Sequence, residues 1–110
     1  MGDSQNSITA DRLDQLIGTS ECPVIVDVRR RPAFDESDRT IAGAEWRDHE
    51  RAADWAADLP DGAAVVVYCV HGHQVSQGAA AALRSAGLDA VFLEGGIEGF
   101  IEAGGETAAK

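Results

Sequence analysis

The stretch AAVVVYCVHGHQVS, residues 63–76, decides how the rest of the chain is interpreted. Its first half is apolar and rich in β-branched valines, which suit a buried strand. It leads into residues 77–86, a strong helix-forming segment with a run of alanines. Cys69 therefore lies where a strand ends and a helix begins. Backbone N–H groups and the helix dipole favour an anion at such a junction, so Cys69 is well placed to be held as a thiolate or a persulfide.

The flanking chain alternates between strand-like and helix-like segments. Short apolar runs predict strands, and segments with a capping residue and one apolar face predict helices. This alternation predicts one α/β domain with a parallel sheet and helices on both faces. Residues 35–40 are expected to form a polar loop, and residues 104–110 a frayed tail. The predicted strands are residues 8–9, 24–28, 45–46, 63–69 and 90–93, and the predicted helices are residues 10–17, a short one from 32, 48–57, 76–86 and 97–103.

Length and charge exclude several classes of protein. The chain has 110 residues, enough for one domain, and carries nine basic against 19 acidic residues, a formal net charge of -10. Nucleic acids and anionic membranes need a cationic face, so both are excluded as partners. No apolar run approaches the roughly 20 residues that span a bilayer. Residues 1–7 lack the basic start and apolar centre of a secretory signal, so we expect a cytoplasmic protein.

The two cysteines have different settings. Cys22 precedes a proline at the start of a predicted strand and is interpreted as structural or incidental, and a disulfide to Cys69 is not expected in a cytosolic chain. Three interpretations are open for Cys69. It can be a nucleophile with a lowered pKa, a buried core cysteine, or a metal ligand together with His71 and His73, although that spacing is unusual for zinc.

Charged residues follow the predicted strand at 24–28. Arg29, Arg30 and Arg31 form the one basic cluster, which is either a solvated loop or part of a site, because ligands gather at the carboxyl ends of strands in open α/β sheets. Asp27 either satisfies backbone N–H groups at its strand end or accepts hydrogen bonds from the following loop. Arg29 can bridge Asp27 or bind an anionic substrate.

Several short segments lie along the chain in a specific order and spacing. They are VIVDVR at 24–29, Phe34, IAGA at 41–44, VVVYC at 65–69 with Gly72, and LEGGI at 93–97 followed by Phe100. Each is weak alone, but together they cover nearly the whole chain and resemble a single-domain rhodanese, a sulfurtransferase family. Ala42 replaces the family's usual proline, Thr40 replaces a usual histidine, and Phe100 lies near the usual tryptophan.

The resemblance implies a fold and a mechanism. It implies a rhodanese-like domain over residues 8–105, with a five-stranded, mainly parallel sheet and helices on both faces. Cys69 would take the outer sulfur of thiosulfate or a persulfide and pass it to a thiol or cyanide, with no cofactor and no metal. Asp27, Arg29 and Arg30 are possible supporting residues, and no protein partner is indicated. The loop that cradles the persulfide would consist of Val70, His71, Gly72, His73, Gln74 and Val75.

One departure bears on the substrate. The loop after Cys69 contains no arginine or lysine, and Gln74 stands where relatives often carry arginine. A non-catalytic sulfur carrier, sensor or binding module of the same fold is therefore an alternative.

A phosphatase or arsenate reductase is a weaker alternative. Cysteine phosphatases need an arginine six residues after the cysteine, and this chain has Val75 at that position.

Overall fold

The computed structural model describes residues 6–72 and 74–110. The helices and strands lie close to the predicted positions, with ends shifted by one or two residues. The helices are α1 (Ala10–Leu16), α2 (Arg31–Glu36), a 3₁₀ helix (His49–Arg51), α3 (Ala52–Ala56), α4 (Gln74–Ser85) and α5 (Gly96–Glu102). The strands are β1 (Ser7–Ile8), β2 (Val24–Asp27), β3 (Arg39–Ile41), β4 (Glu45–Trp46), β5 (Ala64–Tyr68), β6 (Asp89–Leu93) and β7 (Thr107–Ala109).

The main sheet has five parallel strands in the order β1-β6-β5-β2-β4, which confirms the predicted sheet. Strand β5 is central and pairs with β2 so that Asp27 lies opposite Tyr68. The valines of β5 are buried on both faces of the sheet. A nearly continuous apolar run is typical of such a strand, because neither face meets water.

Helices cover both faces of the sheet, as predicted. Alternate residues of a strand point to opposite faces, so β5 contributes to two separate cores. On one face, Val65 and Val67 pack with α3 and α4. On the other face, Val66 and Tyr68 pack with residues of α1 and α5, including Phe100. The two helices next to the Cys69 loop, α4 and α5, therefore approach the sheet from opposite sides.

Two predictions for the polar segments are wrong. Residues 35–40 are not only loop, because α2 extends to Glu36 and β3 begins at Arg39. The C-terminal segment is not frayed, because β7 pairs antiparallel with β3 in a second, two-stranded sheet. Both strands are three residues long and have no marked apolar alternation, so only their pairing with each other defines them.

The N-terminus of α1 is capped by a side chain of the type that helix starts favour. Thr9 precedes the helix, and its side-chain oxygen accepts a hydrogen bond from the Arg12 N–H at 3.2 Å.

Among residues 6–72 and 74–110, none of the helices has the length and apolar character needed to cross a membrane.

Candidate active site

Cys69 lies directly after the central strand β5, at the carboxyl edge of the sheet, with α4 beginning at Gln74. The residue is 7% exposed and lines a cleft with a volume of about 470 Å³. The structure thus brings most of the predicted loop and both supporting arginines to one cavity. Gly72 is buried and does not line the cavity, and His73 lies outside the described residues. The lining residues are Arg29, Arg30, Ala33, Cys69, Val70, His71, Gln74 and Val75.

Ser76 is a neighbour of the thiol that the sequence analysis missed. Its side-chain oxygen is 3.2 Å from Cys69 Sγ, and the residue is fully buried. If Cys69 is a thiolate, the rotatable hydroxyl of Ser76 can donate a hydrogen bond to the sulfur. A signal was available, because Ser76 lies on the same face of α4 as the buried Ala79, Ala80 and Leu83. A polar residue in an apolar stripe usually has a specific partner.

The loop after Cys69 is held by the first turn of α5. The Ile97 N–H donates to the Cys69 carbonyl at 3.0 Å, and the Glu98 N–H donates to the Val70 carbonyl at 3.1 Å. In a trans peptide, the carbonyl of one residue and the N–H of the next point in opposite directions. The N–H groups of Val70 and His71 therefore point away from α5. We call these two hydrogen bonds from α5 the amide clamp.

Two glycines allow α5 to approach the loop this closely. Gly96 has φ of +60°, and a Cβ there would overlap the carbonyls of Cys69 and Val70. Gly72 has φ of +78°, and a Cβ there would lie 2.8 Å from the Gly95 nitrogen. Only glycine takes both the left-handed conformation and the close contact. The Gly95-Gly96 pair turns the chain from β6 into α5, and it also supports the loop.

We expect Gly96→Ala to destabilise the protein by about 2–4 kcal/mol, from left-handed strain together with overlap against the loop. Urea unfolding at neutral pH measures the change. Gly78→Ala is the matched control, because Gly78 is exposed in α4 and a Cβ added there would have no neighbour within 4 Å. That change should stabilise the protein by about 0.5–1 kcal/mol. Equal stabilities for the two variants would contradict the role of Gly96 in supporting the loop.

A buried ion pair lies behind the cleft. The guanidinium of Arg29 donates to the carboxylate of Asp27 through Nη2 at 2.6 Å and through Nε at 3.0 and 3.1 Å. Arg29 Nη2 also donates to the carbonyl of Arg39 at 3.0 Å. The bridge between Arg29 and Asp27, one of the two roles predicted for Arg29, is thus present. Asp27 also accepts from the Arg29 backbone N–H at 3.0 Å, as predicted for a strand-end aspartate.

Tyr68 extends this network to the neighbouring strand. Its hydroxyl donates to Asp27 at 3.0 Å and accepts from the Ile41 N–H at 3.1 Å. Burial, followed by the Asp27 charge, raises the pKa of Tyr68 well above its ordinary value of 10.0. The neutral phenol is therefore the form that the folded state favours. The contribution of this neutral phenol to folding stability is complete below pH 10. It declines only as the pH rises above that value.

The two arginines after Arg29 have different neighbours. Arg30 is exposed and lines the cleft. Arg31 instead pairs with Asp35 at 3.2 Å, and its guanidinium lies 4.9 Å from the ring centre of Trp46. Trp46 packs against Phe34. The three consecutive arginines are therefore not one basic patch.

The second cysteine and the alternative metal set are placed differently. Cys22 is half-buried and unbridged, with its sulfur 3.4 Å from the carbonyl of Pro23. The alternative metal set contains His73, which lies outside the described residues. Within the described chain, one group has potential metal-ligand atoms close together, namely Asp48, His49 and Glu50 beside the 3₁₀ helix. Nothing further indicates that this group binds an ion.

Comparisons with known proteins agree with the sequence resemblance. A family model described as the rhodanese-like domain matches residues 9–103. A search of curated proteins found no match. Among solved structures, a full-length protein from Lactobacillus plantarum is 24% identical, with 96% of this chain and 88% of that chain covered and a TM-score of 0.84. That level of identity supports the fold alone.

Two further structures are somewhat closer in sequence. A rhodanese-related protein from Thermoplasma volcanium is 28% identical, with 94% and 97% of the two chains covered and a TM-score of 0.77. A protein of unknown function from Rhodopseudomonas palustris, described as a possible tyrosine phosphatase, is 27% identical, with 97% and 87% covered and a TM-score of 0.80.

Proposed function

Because the chain belongs to the rhodanese-like domain family, we propose that it is a sulfurtransferase that carries sulfane sulfur as a persulfide on Cys69. The donor is thiosulfate or a persulfide, and the acceptor is a thiol or cyanide. The observation that carries the proposal is the setting of Cys69. It lies at the end of the central strand, in a cleft, with the Ser76 hydroxyl beside it and the N–H groups of Val70 and His71 turned away from α5.

The proposed reaction has two displacement steps. The Cys69 thiolate attacks the outer sulfur of the donor, a new S–S bond forms, and the old bond breaks with its electron pair on the leaving group. That group is sulfite from thiosulfate, or a thiolate from a persulfide. The acceptor then attacks the outer sulfur on Cys69, and the Cys69 thiolate is regenerated. Little proton transfer is needed once the thiolate exists, so the role that we propose for His71 and His73 is only to tune the local charge.

The loop contributes by stabilising negative charge on sulfur. Both the thiolate and the ionised persulfide are anions, and fixed N–H donors stabilise an anion without reorganising in each cycle. The amide clamp supports this role, because it occupies the carbonyls of Cys69 and Val70 on the side opposite the donors. Residues Val70 to Val75 are the proposed persulfide-binding loop.

Intact-mass spectrometry tests the proposal directly. Wild-type protein is incubated separately with thiosulfate and with glutathione persulfide, and the modified peptide is then mapped. We expect a gain of one sulfur on the peptide that contains Cys69, and loss of that sulfur when cyanide is added. If no donor gives an adduct, the protein is instead a non-catalytic module of this fold, the alternative that the missing loop cation favours.

A phosphatase is less well supported. One similar structure is described as a possible tyrosine phosphatase. Cysteine phosphatases bind the phosphoryl oxygens with an arginine in the loop. In this chain the corresponding residue is Val75, a half-buried side chain in the wall of the cleft.

We expect Gln74→Arg to increase kcat/KM for thiosulfate by about 3–10-fold, because a guanidinium at the cleft can pair with the donor's oxyanion. Gln74 is exposed, begins α4 and lines the cleft. Gln15→Arg is the control, since it makes the same charge change on the exposed surface of α1. Steady-state kinetics with thiosulfate and cyanide measure the effect. An unchanged or lower rate for Gln74→Arg would contradict the view that the missing cation limits thiosulfate use.

A further inference from the structure

Two arginines line the cleft of Cys69, but only one has a side chain that can pair with a ligand. The guanidinium of Arg29 is 2% exposed and is bonded to the Asp27 carboxylate and the Arg39 carbonyl, so its charge is already balanced. Arg30 is exposed, and its side chain has no hydrogen bond or ion pair within the described chain. No described acidic residue lines this cleft. Of the two arginines, Arg30 is therefore the one that is available to an anionic ligand.

The backbone fixes the position of Arg30, while its side chain makes no hydrogen bond or ion pair within the described chain. Arg30 is the N-cap residue of α2, and its carbonyl accepts the Phe34 N–H at 2.9 Å. Its neighbour Arg31 is turned the other way, toward Asp35 and Trp46. The start of α2 thus presents one cation to the cleft and places the next against packed aromatic rings.

The size of the cleft indicates what kind of anion Arg30 faces. Its volume of about 470 Å³ is far larger than an inorganic ion needs. It falls within the range of about 300–1,000 Å³ that is typical of sites for small organic ligands. Ala33, Val70 and Val75 give the wall an apolar part that suits an organic body.

We propose that Arg30 binds the carboxylate of an organic persulfide, R–S–SH, and so selects the donor. This inference rests on the proposed sulfurtransferase function and names the donor class for it. The Cys69 thiolate attacks the outer sulfur, the S–S bond of the donor breaks, and R–S⁻ leaves while Cys69 becomes Cys–S–SH. Arg30 takes no part in bond making and acts as a specificity residue.

Local charge outweighs net charge in this cleft. The protein carries a formal net charge of -10, which disfavours anions at long range. At physiological ionic strength, such interactions are largely screened beyond about 8 Å. A single arginine inside the cleft therefore has more influence on a bound carboxylate than those acidic residues of the surface that lie beyond this screening length.

Alkylation of Cys69 tests the role of Arg30 without relying on sulfur transfer. In a Cys22→Ser background, the rates with anionic iodoacetate and neutral iodoacetamide are compared as a ratio. We expect Arg30→Gln to lower the iodoacetate-to-iodoacetamide ratio by about two- to five-fold, the range expected for one exposed charge pair. Arg31→Gln removes the same charge from the neighbouring residue and should leave the ratio unchanged. A ratio that is equal in the two variants would overturn the proposal.

Transfer kinetics then identify the donor. Glutathione persulfide carries carboxylates, 2-hydroxyethyl persulfide does not, and thiosulfate is an inorganic oxyanion. For Arg30→Gln we expect KM to rise about two- to five-fold for glutathione persulfide, with kcat little changed and no effect on the persulfide that lacks a carboxylate. If KM rises more for thiosulfate than for glutathione persulfide in this variant, the assignment of an organic persulfide as the donor is overturned. The double variant Arg30→Gln/Gln74→Arg should recover part of the lost affinity, because it restores a cation to the cleft.

The two sets of measurements separate the two proposals. If the alkylation ratio falls in Arg30→Gln but no donor loads wild-type Cys69, then the sulfurtransferase proposal and the donor assignment both fail, although an anion site exists. If wild-type Cys69 loads normally and the ratio is the same in Arg30→Gln and Arg31→Gln, then only the role of Arg30 fails.

Discussion

Cys69→Ser is expected to abolish sulfur transfer while leaving the fold unchanged. A serine hydroxyl is not ionised near neutral pH, so the variant lacks the thiolate that attacks the donor. The loss of turnover should be on the order of 10³-fold or more, as is typical when a nucleophile is removed. The side chain is nearly isosteric, and Ser76 can hydrogen-bond to a serine hydroxyl as it does to the thiol. Stability should therefore change by less than about 1 kcal/mol.

Two measurements decide this prediction. Thiocyanate formation from a sulfur donor and cyanide reports turnover, and the intact mass after donor treatment reports the persulfide. Cys22→Ser is the matched control, because it removes the other thiol and should keep full activity. Activity that remains in Cys69→Ser and disappears in Cys22→Ser would show that the nucleophile had been misassigned.

Breaking the buried ion pair behind the cleft is expected to cost about 3–5 kcal/mol of folding stability. Arg29→Met removes the guanidinium and leaves the fully buried Asp27 carboxylate with the Tyr68 hydroxyl and the backbone N–H of residue 29 as donors. Asp27→Asn leaves a buried guanidinium without its counter-charge. A domain with about 5–15 kcal/mol of total stability would lose a large share of it in either case.

Chemical denaturation of both single variants and the double variant measures this cost. The double variant should lose less than the sum of the two single losses, because it leaves no buried charge unpaired. Arg31→Met is the control, since Arg31 is exposed and its pair with Asp35 should contribute less than about 1 kcal/mol. Additive losses for Asp27 and Arg29 would contradict direct coupling between them.

The sequence predicted the features that depend on local pattern. The buried strand before Cys69, the alanine-rich helix after it and the alternation along the chain are each visible in short windows, and together they predict the five-stranded parallel sheet. Strands β3 and β7 were missed because each is defined by its partner across the fold. No local window contains that information.

The same distinction applies to the site. Cys69 at a strand end was predictable, because strand, loop and helix are contiguous in sequence. The contact of Ser76 with the thiol depends on how the first turn of α4 is rotated against the sheet. The clamp by Ile97 and Glu98 depends on a helix that packs on the opposite face. The choice between the two roles of Arg29 depended on the buried partner that the fold provides.

The amide clamp also has a consequence for protein synthesis. The N–H groups that fix the Cys69 loop belong to α5, the last helix of the described chain. A nascent chain that ends before Gly96 has translated the whole nucleophile segment but lacks the part that sets the direction of its backbone. We expect Cys69 in such a chain to be an ordinary thiol in a loose loop. The reactivity proposed for Cys69 would then require α5 to be synthesised and docked, and a chain truncated before Gly96 would carry the thiol without the site.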